Sequence, residues 1–326
     1  MRHHAREIAL PVPLDEWIVA PSIDFVKFTN ASDTLLHRLA RAMKKTEPKL
    51  SSHVTVARDD MRTVLTIHDP TIAQLQRMID LCPNLDVYEV EFTIDFRPTG
   101  VGPAGLDELA PVFRWFADSM YPVTSKATRL RYEDTANGKG RFSPAPPGPS
   151  DTLTTHLWRD GLERIKQRLY VKFEDQSEPV ERPSVRLEAW FSMAACSSMS
   201  LGRVWQFAEF GADLRRTLSS AFYIADCIKP KIKRTRHKEG TRIAQKTIKA
   251  NDREIARVEA GWANQGAMWA VRHGYAVNPD KQAHKRIGDA LHRLGQHLTA
   301  LKLPEKTRVD DRWIPAESLD FIGDRG

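Results

Sequence analysis

The strand that decides the fold reads "DVYEVEFTIDF" at residues 86–96. Apolar and polar residues alternate along it, with Val90, Phe92, Ile94 and Phe96 on one side and Glu89, Glu91, Thr93 and Asp95 on the other. Successive side chains of a β-strand point to opposite faces of its sheet. The pattern therefore predicts a strand with one buried face and one polar face.

Shorter patterns on both sides of this strand predict a sheet covered by helices. Upstream lie a strand at 22–28, a helix at 32–46 behind a Ser/Asp cap, a hairpin at 53–70 and a helix at 71–82. Downstream lie a helix at 105–121 and strands at 127–134, 152–159, 165–175 and 184–191. We expect an α+β fold with an antiparallel sheet, helices on one of its faces and ferredoxin-like elements.

The chain divides into three parts by pattern. Residues 1–20 form an N-terminal tail, residues 21–200 a sheet-based domain, and residues 201–326 a helical, basic region. A stretch rich in Pro, Gly and Ser at 135–151 predicts a long loop inside the second part. The third part has helical spacing at 202–226, 253–274 and 284–303.

Positive charge is concentrated in one block. The net charge of the 326 residues is +7, yet Lys229 to Arg257 alone hold eleven Lys or Arg against three Asp or Glu. Such a block is typical of a surface that binds a polyanion, although a solvated helix face or an acidic protein partner would also explain it. The candidate nucleic-acid contacts are Lys231, Lys233, Arg234, Arg236, Lys246, Lys249, Arg253 and Arg257.

Several classes of protein do not fit the sequence. No apolar run approaches the roughly 20 residues of a membrane helix, and the N-terminus does not resemble a signal peptide, so we expect a cytoplasmic protein. The three cysteines are far apart and suggest neither disulfides nor a zinc site. A phosphate-binding GxxxxGK[ST] motif is absent, so duplex unwinding would need a separate helicase.

Ionisable side chains recur on the polar positions of four predicted strands. They are Glu91 and Asp95, His156 beside Thr154, Tyr170 and Lys172, and Arg186 and Glu188. A solvated face of an antiparallel sheet would also be polar. The combination of residue types nevertheless points to chemistry, because acids and an imidazole can hold Mg²⁺ or Mn²⁺ beside a phenol that can attack phosphorus.

This reading gives each candidate residue a role in cutting DNA. Asp95, Glu188 and His156 would hold the divalent ion. Tyr170 would be the nucleophile, with Lys172 and Arg186 stabilising the charged phosphorus in the transition state. Tyr132, on another predicted strand, is the second candidate for the nucleophile.

Three strand motifs also resemble a known family. In order, "VEFTIDF", "RLYVKFEDQ" and "VRLEAWF", with "LTIHDPTIAQL" upstream, are similar to the replication initiators of filamentous phages and rolling-circle plasmids over about residues 50–195. The resemblance implies a relaxase-like domain that nicks one origin strand, stays on the 5′ phosphate through tyrosine and later religates it. By position it assigns Tyr170 as the nucleophile and Asp95 and Glu188 as acids.

The sequence therefore predicts a metal-dependent DNA nicking-closing enzyme that initiates rolling-circle replication. Its partners would be single-stranded and duplex origin DNA, a separate host helicase and a polymerase, and a homodimer is compatible with the sequence. The main alternative is a non-catalytic DNA-binding regulator of replication or transcription. An RNA-binding protein with an RRM-like sheet is a third class, disfavoured because acids stand where stacking aromatic residues would be expected.

Overall fold

A computed structural model describes most of the chain between Glu16 and Pro315. The described residues are 16–59, 62–99, 106–122, 128–133, 141–144, 155–159, 164–175, 178–229, 257, 260–261, 266–273, 276–303, 306–309 and 312–315.

The first half of the sheet is built from elements that follow one another in the order β-α-β-β-α-β. Its elements are β1 (Trp17–Thr29), α1 (Asp33–Thr46), β2 (Val54–Asp59), β3 (Arg62–His68), α2 (Ile72–Leu81) and β4 (Asp86–Pro98). The strands pair in the order β2-β3-β1-β4, all antiparallel. This is the ferredoxin-like arrangement, so the predicted ferredoxin-like elements are confirmed.

The helices of this half begin where the sequence predicts. Ser32 caps α1 by accepting a hydrogen bond from the backbone N–H of Leu35 at 3.3 Å. At α2, the Thr71 hydroxyl accepts from the N–H of Gln74 at 3.1 Å, and the Gln74 side chain accepts from the N–H of Thr71 at 3.0 Å. Such capping satisfies N–H groups that the first helical turn leaves without partners.

The second half extends the same sheet from β4. Its elements are α3 (Leu106–Ser119), β5 (Thr128–Glu133), β6 (Arg141–Pro144), β7 (His156–Arg159), β8 (Ile165–Asp175) and β9 (Glu178–Ser192). The strand order continues β4-β9-β8-β7-β5-β6, which gives a nine-stranded antiparallel sheet. Two expectations were wrong in detail, because β6 lies inside the predicted loop at 135–151 and β9 begins six residues earlier than predicted.

Helices and two small two-stranded sheets follow the large sheet. They are α4 (Met193–Ser198), α5 (Gln206–Leu218), β10 (Ala225–Lys229), α6 (Ala267–Arg272), β11 (Ala276–Pro279), α7 (Lys281–Thr299), β12 (Lys306–Val309) and β13 (Arg312–Pro315). The predicted helix at 202–226 is thus shorter than expected, since its last residues enter a strand that pairs with β11. None of the helices described is long and apolar enough to cross a membrane.

Helices cover one face of the sheet and form the core there. On β4, Phe96 packs on Phe116 of α3 with ring centroids 4.6 Å apart, and Phe92 packs on Phe210 of α5 at 5.9 Å. The predicted α+β class with helices on one face is therefore confirmed, and the opposite face of the sheet is left for polar side chains.

The core continues beyond residue 200. Leu214 of α5 and Leu291 of α7 are fully buried in the same hydrophobic cluster as the sheet. Two arginines of α7 also bind β1, because Arg286 donates to the carbonyl of Trp17 and Arg293 to that of Val19. The division of the chain at residues 20 and 200 stays a prediction, although β1 begins at Trp17 and the packing crosses residue 200.

Candidate active site on the polar face of the sheet

Strand register brings the polar residues of β4, β9 and β8 onto one face. Arg186 of β9 lies opposite Asp95 of β4 and Tyr170 of β8. Glu188 lies opposite Thr93 and Arg168 in the same way. The predicted common face is confirmed for these three strands, and Lys172 shares it, opposite Ser184.

A fourth strand contributes an acid that the sequence analysis did not identify. The pairing of β1 with β4 shifts register between Ile23 and Phe25, which leaves Asp24 as an extra residue. Such a bulge changes which face the following side chains take. Asp24 keeps the polar face that Ser22 occupies two residues earlier, and the bulge turns Val26 and Phe28 beyond it into the core.

Three carboxylates converge on this face. One oxygen each of Asp24, Glu91 and Glu188 lie within 4.8 Å of one another. Glu91 and Glu188 are almost completely buried, with 4% and 1% of their surface exposed. Burial and the nearby charge of Glu188 raise the pKa of Glu91 to about 9, and burial also raises the pKa of Glu188.

Two arginines compensate these acids. Arg168 donates from Nε to Oε2 of Glu188, and its Nη2 lies 3.4 Å from Oε1 of Glu91. Arg186 holds both oxygens of Asp95 at 2.8 Å and reaches Oδ1 of Asp24 with Nη1 at 2.7 Å. The Asp95 carboxylate is thus bound in the two-pronged geometry that a guanidinium favours.

The phenol of Tyr170 lies directly against this cluster. Its hydroxyl donates to Oε1 of Glu188 across 2.6 Å. Burial, followed by the negative charge of Glu188, raises the pKa of Tyr170, while the charge of Arg186 opposes that shift. The arrangement pairs a phenol with a carboxylate that can accept its proton.

His156 is not part of this cluster, and the expectation that it shares the face was wrong. It pairs with Leu169 of β8, so it points to the helix-covered side, where its ring lies 5.6 Å from that of Phe113. Its Nδ1 accepts a hydrogen bond from Nε of Arg129 at 3.1 Å. Leu157 and Arg159 take the polar-face positions of β7 instead, because the strand alternates in the opposite phase from the one predicted.

Two further candidates also differ from expectation. Asp95 lies on the predicted face but its carboxylate is bound by Arg186, and it is not one of the three converging acids. Tyr132 is on β5, separated from β8 by β7, and its ring packs on that of Phe142 at 5.5 Å. Of the two candidate tyrosines, Tyr170 is therefore the one at the acids.

The donor set fits a hard divalent cation. Carboxylate oxygens are the ligands that Mg²⁺ and Mn²⁺ prefer. Asp24, Glu91, Asp95 and Glu188 carry four negative charges when ionised, against two positive charges on Arg168 and Arg186. The excess matches one divalent cation. Asp24, Glu91 and Glu188 are the residues that would hold the ion.

A pocket of about 550 Å³ opens beside the cluster on the same face. Glu91, Glu188 and Arg168 form part of its wall. Its other residues are Phe25, Lys27, Thr66, His68, Glu89, Phe142, Leu157, Lys166 and Trp190. The ammonium of Lys166 lies 4.2 Å from the centre of the Trp190 ring, so aromatic and basic groups stand together next to the acids.

The basic block is mostly outside the described residues. Of the predicted nucleic-acid contacts, only Arg257 is described, with its guanidinium 6.0 Å from the ring centre of Trp269. The remaining seven, from Lys231 to Arg253, lie outside the described residues, and their role stays a prediction.

Comparison with known proteins gives limited similarity. No protein-family model and no curated protein matches the chain. Among solved structures, the chain is similar to a rolling circle replication initiator protein from Geobacillus stearothermophilus. The alignment covers 79% of this chain and 96% of that chain, with 13% sequence identity and a TM-score of 0.31. Similarity at this level carries no argument about chemistry.

Proposed function

We propose that the protein initiates rolling-circle DNA replication by nicking and closing one strand, with Tyr170 as the nucleophile and a divalent cation as cofactor. One observation carries the proposal: the Tyr170 hydroxyl donates to Oε1 of Glu188 at 2.6 Å, and Glu188 is one of three converging carboxylates. A nucleophile bound to its base, beside a cation site, is the arrangement that phosphodiester transfer needs.

The reaction is a transesterification without net hydrolysis. The Tyr170 oxygen forms a bond to phosphorus while the bond from phosphorus to the 3′ oxygen of the preceding nucleotide breaks. The phenolic proton passes to Glu188, and the departing 3′ oxygen takes a proton from solvent. Closing reverses these steps, because the 3′ hydroxyl attacks the phosphotyrosine and restores the phenol.

The chain's own residues prepare this step. When a cation is bound at Asp24, Glu91 and Glu188, it supplies positive charge that favours the phenolate and polarises the phosphodiester. Glu188 orients the phenol through the 2.6 Å hydrogen bond. Lys172, on the same face of β8, would contact the phosphate. Arg186 holds Asp95 and Asp24 in place, a different role from the phosphate contact that the sequence suggested.

The pocket beside the acids supports a single-stranded substrate. Bases of a single strand stack on aromatic rings, and its phosphates bind basic side chains. Trp190, Phe142 and Phe25 supply rings, and Lys27, Lys166 and Arg168 supply charge, around one opening. Duplex origin DNA would bind the basic block at 229–257, and a host helicase and polymerase would extend the freed 3′ end.

A non-catalytic, single-strand-binding regulator is the second candidate. It is favoured by the way Arg168 and Arg186 already neutralise part of the charge of the acids, since structural ion-pair networks do the same without chemistry. In that case Tyr170 would contact DNA but would never bond to it.

Covalent capture separates the two candidates. The full chain is incubated with a random pool of labelled single-stranded oligonucleotides and Mn²⁺, and adducts are resolved on a denaturing gel. We expect an adduct with the wild type and with Tyr132→Phe, and none with Tyr170→Phe, which keeps the ring but lacks the oxygen.

Two results would count against this assignment. An adduct that persists in Tyr170→Phe and disappears in Tyr132→Phe would move the nucleophile to β5. Absence of any adduct in the wild type, although it binds the oligonucleotides, would favour the non-catalytic regulator.

A further inference from the structure

The guanidinium of Arg168 occupies the space between two of the acids that would hold the cation. Its Nε donates to Oε2 of Glu188, and its Nη2 lies 3.4 Å from Oε1 of Glu91. The other oxygen of Glu188 accepts from Tyr170. Both oxygens of Glu188 therefore already have donors, and Arg168 supplies one of them.

Arg168 differs from Arg186 in its freedom to move. The side chain of Arg186 is 6% exposed and is held by both oxygens of Asp95 and by Asp24. The side chain of Arg168 is 41% exposed and forms part of the pocket wall. Rotation of Arg168 about its side-chain bonds would therefore carry its charge into the pocket, whereas Arg186 is fixed.

A cation and Arg168 compete for these oxygens. A divalent cation of the Mg²⁺ type binds carboxylate oxygens at roughly 2.0–2.1 Å and requires near-octahedral space around it. A guanidinium at hydrogen-bond distance from the same oxygens would lie within a few ångströms of that cation. Repulsion between the two positive charges is strong where water is largely excluded.

We propose that Arg168 is a built-in counter-ion, which holds Glu188 and Glu91 in place of the divalent cation and is released into the pocket when the cation binds. The proposal rests on the proposed function for the identity of the cation and of the DNA phosphate that the released guanidinium meets. Before cation binding, Arg168 keeps the buried carboxylates compensated. After it, the same side chain faces the opening where a phosphodiester would enter.

Cation affinity tests the competition directly. Mn²⁺ is titrated calorimetrically into the full chain without DNA, for the wild type, Arg168→Gln and the control Arg182→Gln. The control removes the same charge from an exposed position of β9, six residues from Glu188. We expect Arg168→Gln to bind Mn²⁺ roughly tenfold more tightly, since a close positive charge no longer opposes the ion, and Arg182→Gln to match the wild type.

A second measurement uses the wild type alone, because Arg168→Gln leaves buried acids uncompensated and can fail to fold without the ion. The Nε–H signals of Arg168 and Arg186 are followed by ¹⁵N NMR during a titration with diamagnetic Mg²⁺. We expect the Arg168 signal to shift and exchange faster with water as its hydrogen bond to Glu188 is lost. The Arg186 signal should keep its slow exchange and serves as the internal control.

The outcomes distinguish the proposed metal-dependent function from the counter-ion role of Arg168. If the wild type takes up no Mn²⁺ or Mg²⁺, the metal-dependent function fails together with this inference. If the wild type binds the ion, but Arg168→Gln binds it no more tightly or the Arg168 signal keeps its slow exchange, only the counter-ion role is overturned.

Discussion

The hydroxyl of Tyr170 lies where losing its proton is unfavourable in the absence of a cation. Burial and the charge of Glu188 both raise the pKa of this phenol. The same contact places the proton acceptor 2.6 Å away. The phenol is therefore positioned for attack, but it needs added positive charge nearby to become a strong nucleophile.

Glu188 is the residue on which the proposed chemistry depends most. Glu188→Gln keeps the shape of the side chain but removes the charge that would hold the ion. We expect Mn²⁺ to raise the melting temperature of the wild type, and we expect this variant to lose both that rise and adduct formation. Single-strand binding measured by fluorescence anisotropy should stay within a few-fold. Glu209→Gln, an exposed acid on α5, is the control and should behave as the wild type.

The Glu188 role is contradicted if Glu188→Gln responds to Mn²⁺ as the wild type does. Circular dichroism of the variant at neutral pH checks that the loss is not a loss of fold.

His284 predicts a pH dependence of stability at a site away from the acids. Burial lowers the pKa of His284, although Asp280 opposes the shift. Because the unfolded chain then binds the proton more readily, stability should fall as pH drops below roughly 6.5.

The measurement is the urea midpoint at pH 7.5 and pH 5.5. His284→Gln should lose less stability than the wild type between these two pH values, because glutamine does not titrate. Equal losses in the two proteins would show that the folded and unfolded chains protonate His284 alike.

At the scale of elements, a bulge in one strand and a close contact between two helices determine which residues meet. The bulge in β1 lets Asp24 stay with the acids while Val26 beyond it enters the core, and the contact between α5 and α7 fixes the helices that cover the sheet. At that contact a Cβ on Gly211 would lie 2.7 Å from the carbonyl oxygen of Gly295. The two helices therefore pack backbone to backbone, which only glycine allows at such a distance.

Substitution of Gly295 should separate these helices. A methyl group at this position would meet the backbone oxygen of Gly211, so Gly295→Ala should lower the free energy of unfolding in urea by about 1–3 kcal/mol. Gly288→Ala on the same helix is the matched control. Its methyl group would meet only the flexible end of Arg215, and we expect its stability to be unchanged or slightly higher.

Similar destabilisation by both alanine variants would mean that the effect arises within α7 and not at its contact with α5.

At the scale of the whole molecule, negative and positive charge are separated along the chain. The acids lie on the sheet face, and the block from Lys229 to Arg257 holds eleven Lys or Arg. Under the proposed function, such a separation would give sequence-independent DNA binding to the block and strand cleavage to the sheet. DNA binding and strand cleavage should accordingly respond to different mutations.

DNA binding should depend on this block more than on the sheet. Replacing Lys231, Lys233, Arg234 and Arg236 with Ser should weaken duplex binding and reduce the slope of log affinity against log salt by about 3–4 units, if all four contact phosphates. The measurement is fluorescence anisotropy at several salt concentrations. An unchanged slope would place the duplex elsewhere on the protein.

The local alternation of polar and apolar residues was sufficient to predict the strands of the site. The period-two alternation of β4, β8 and β9 is complete within each segment, so it correctly placed Tyr170, Lys172, Arg186, Glu188, Glu91 and Asp95 on one face. The same kind of pattern gave the α+β class, because amphipathic helices and half-apolar strands must bury their apolar sides against each other. These properties belong to residues close in sequence, and the sequence alone determined them.

Strand pairing decided which side chains join the site where the alternation within a strand could not. Asp24 stays on the polar face while Val26 and Phe28 enter the core because β1 bulges where it pairs with β4, and His156 turns away because β7 pairs with β8 through Leu169. A shift of one residue moves a side chain to the other face, and that shift is set by the partner strand and not by the strand itself. The partners of the acids, Arg168 and Arg186, are likewise fixed by contacts across strands, so only the tertiary structure decided which residues form the site.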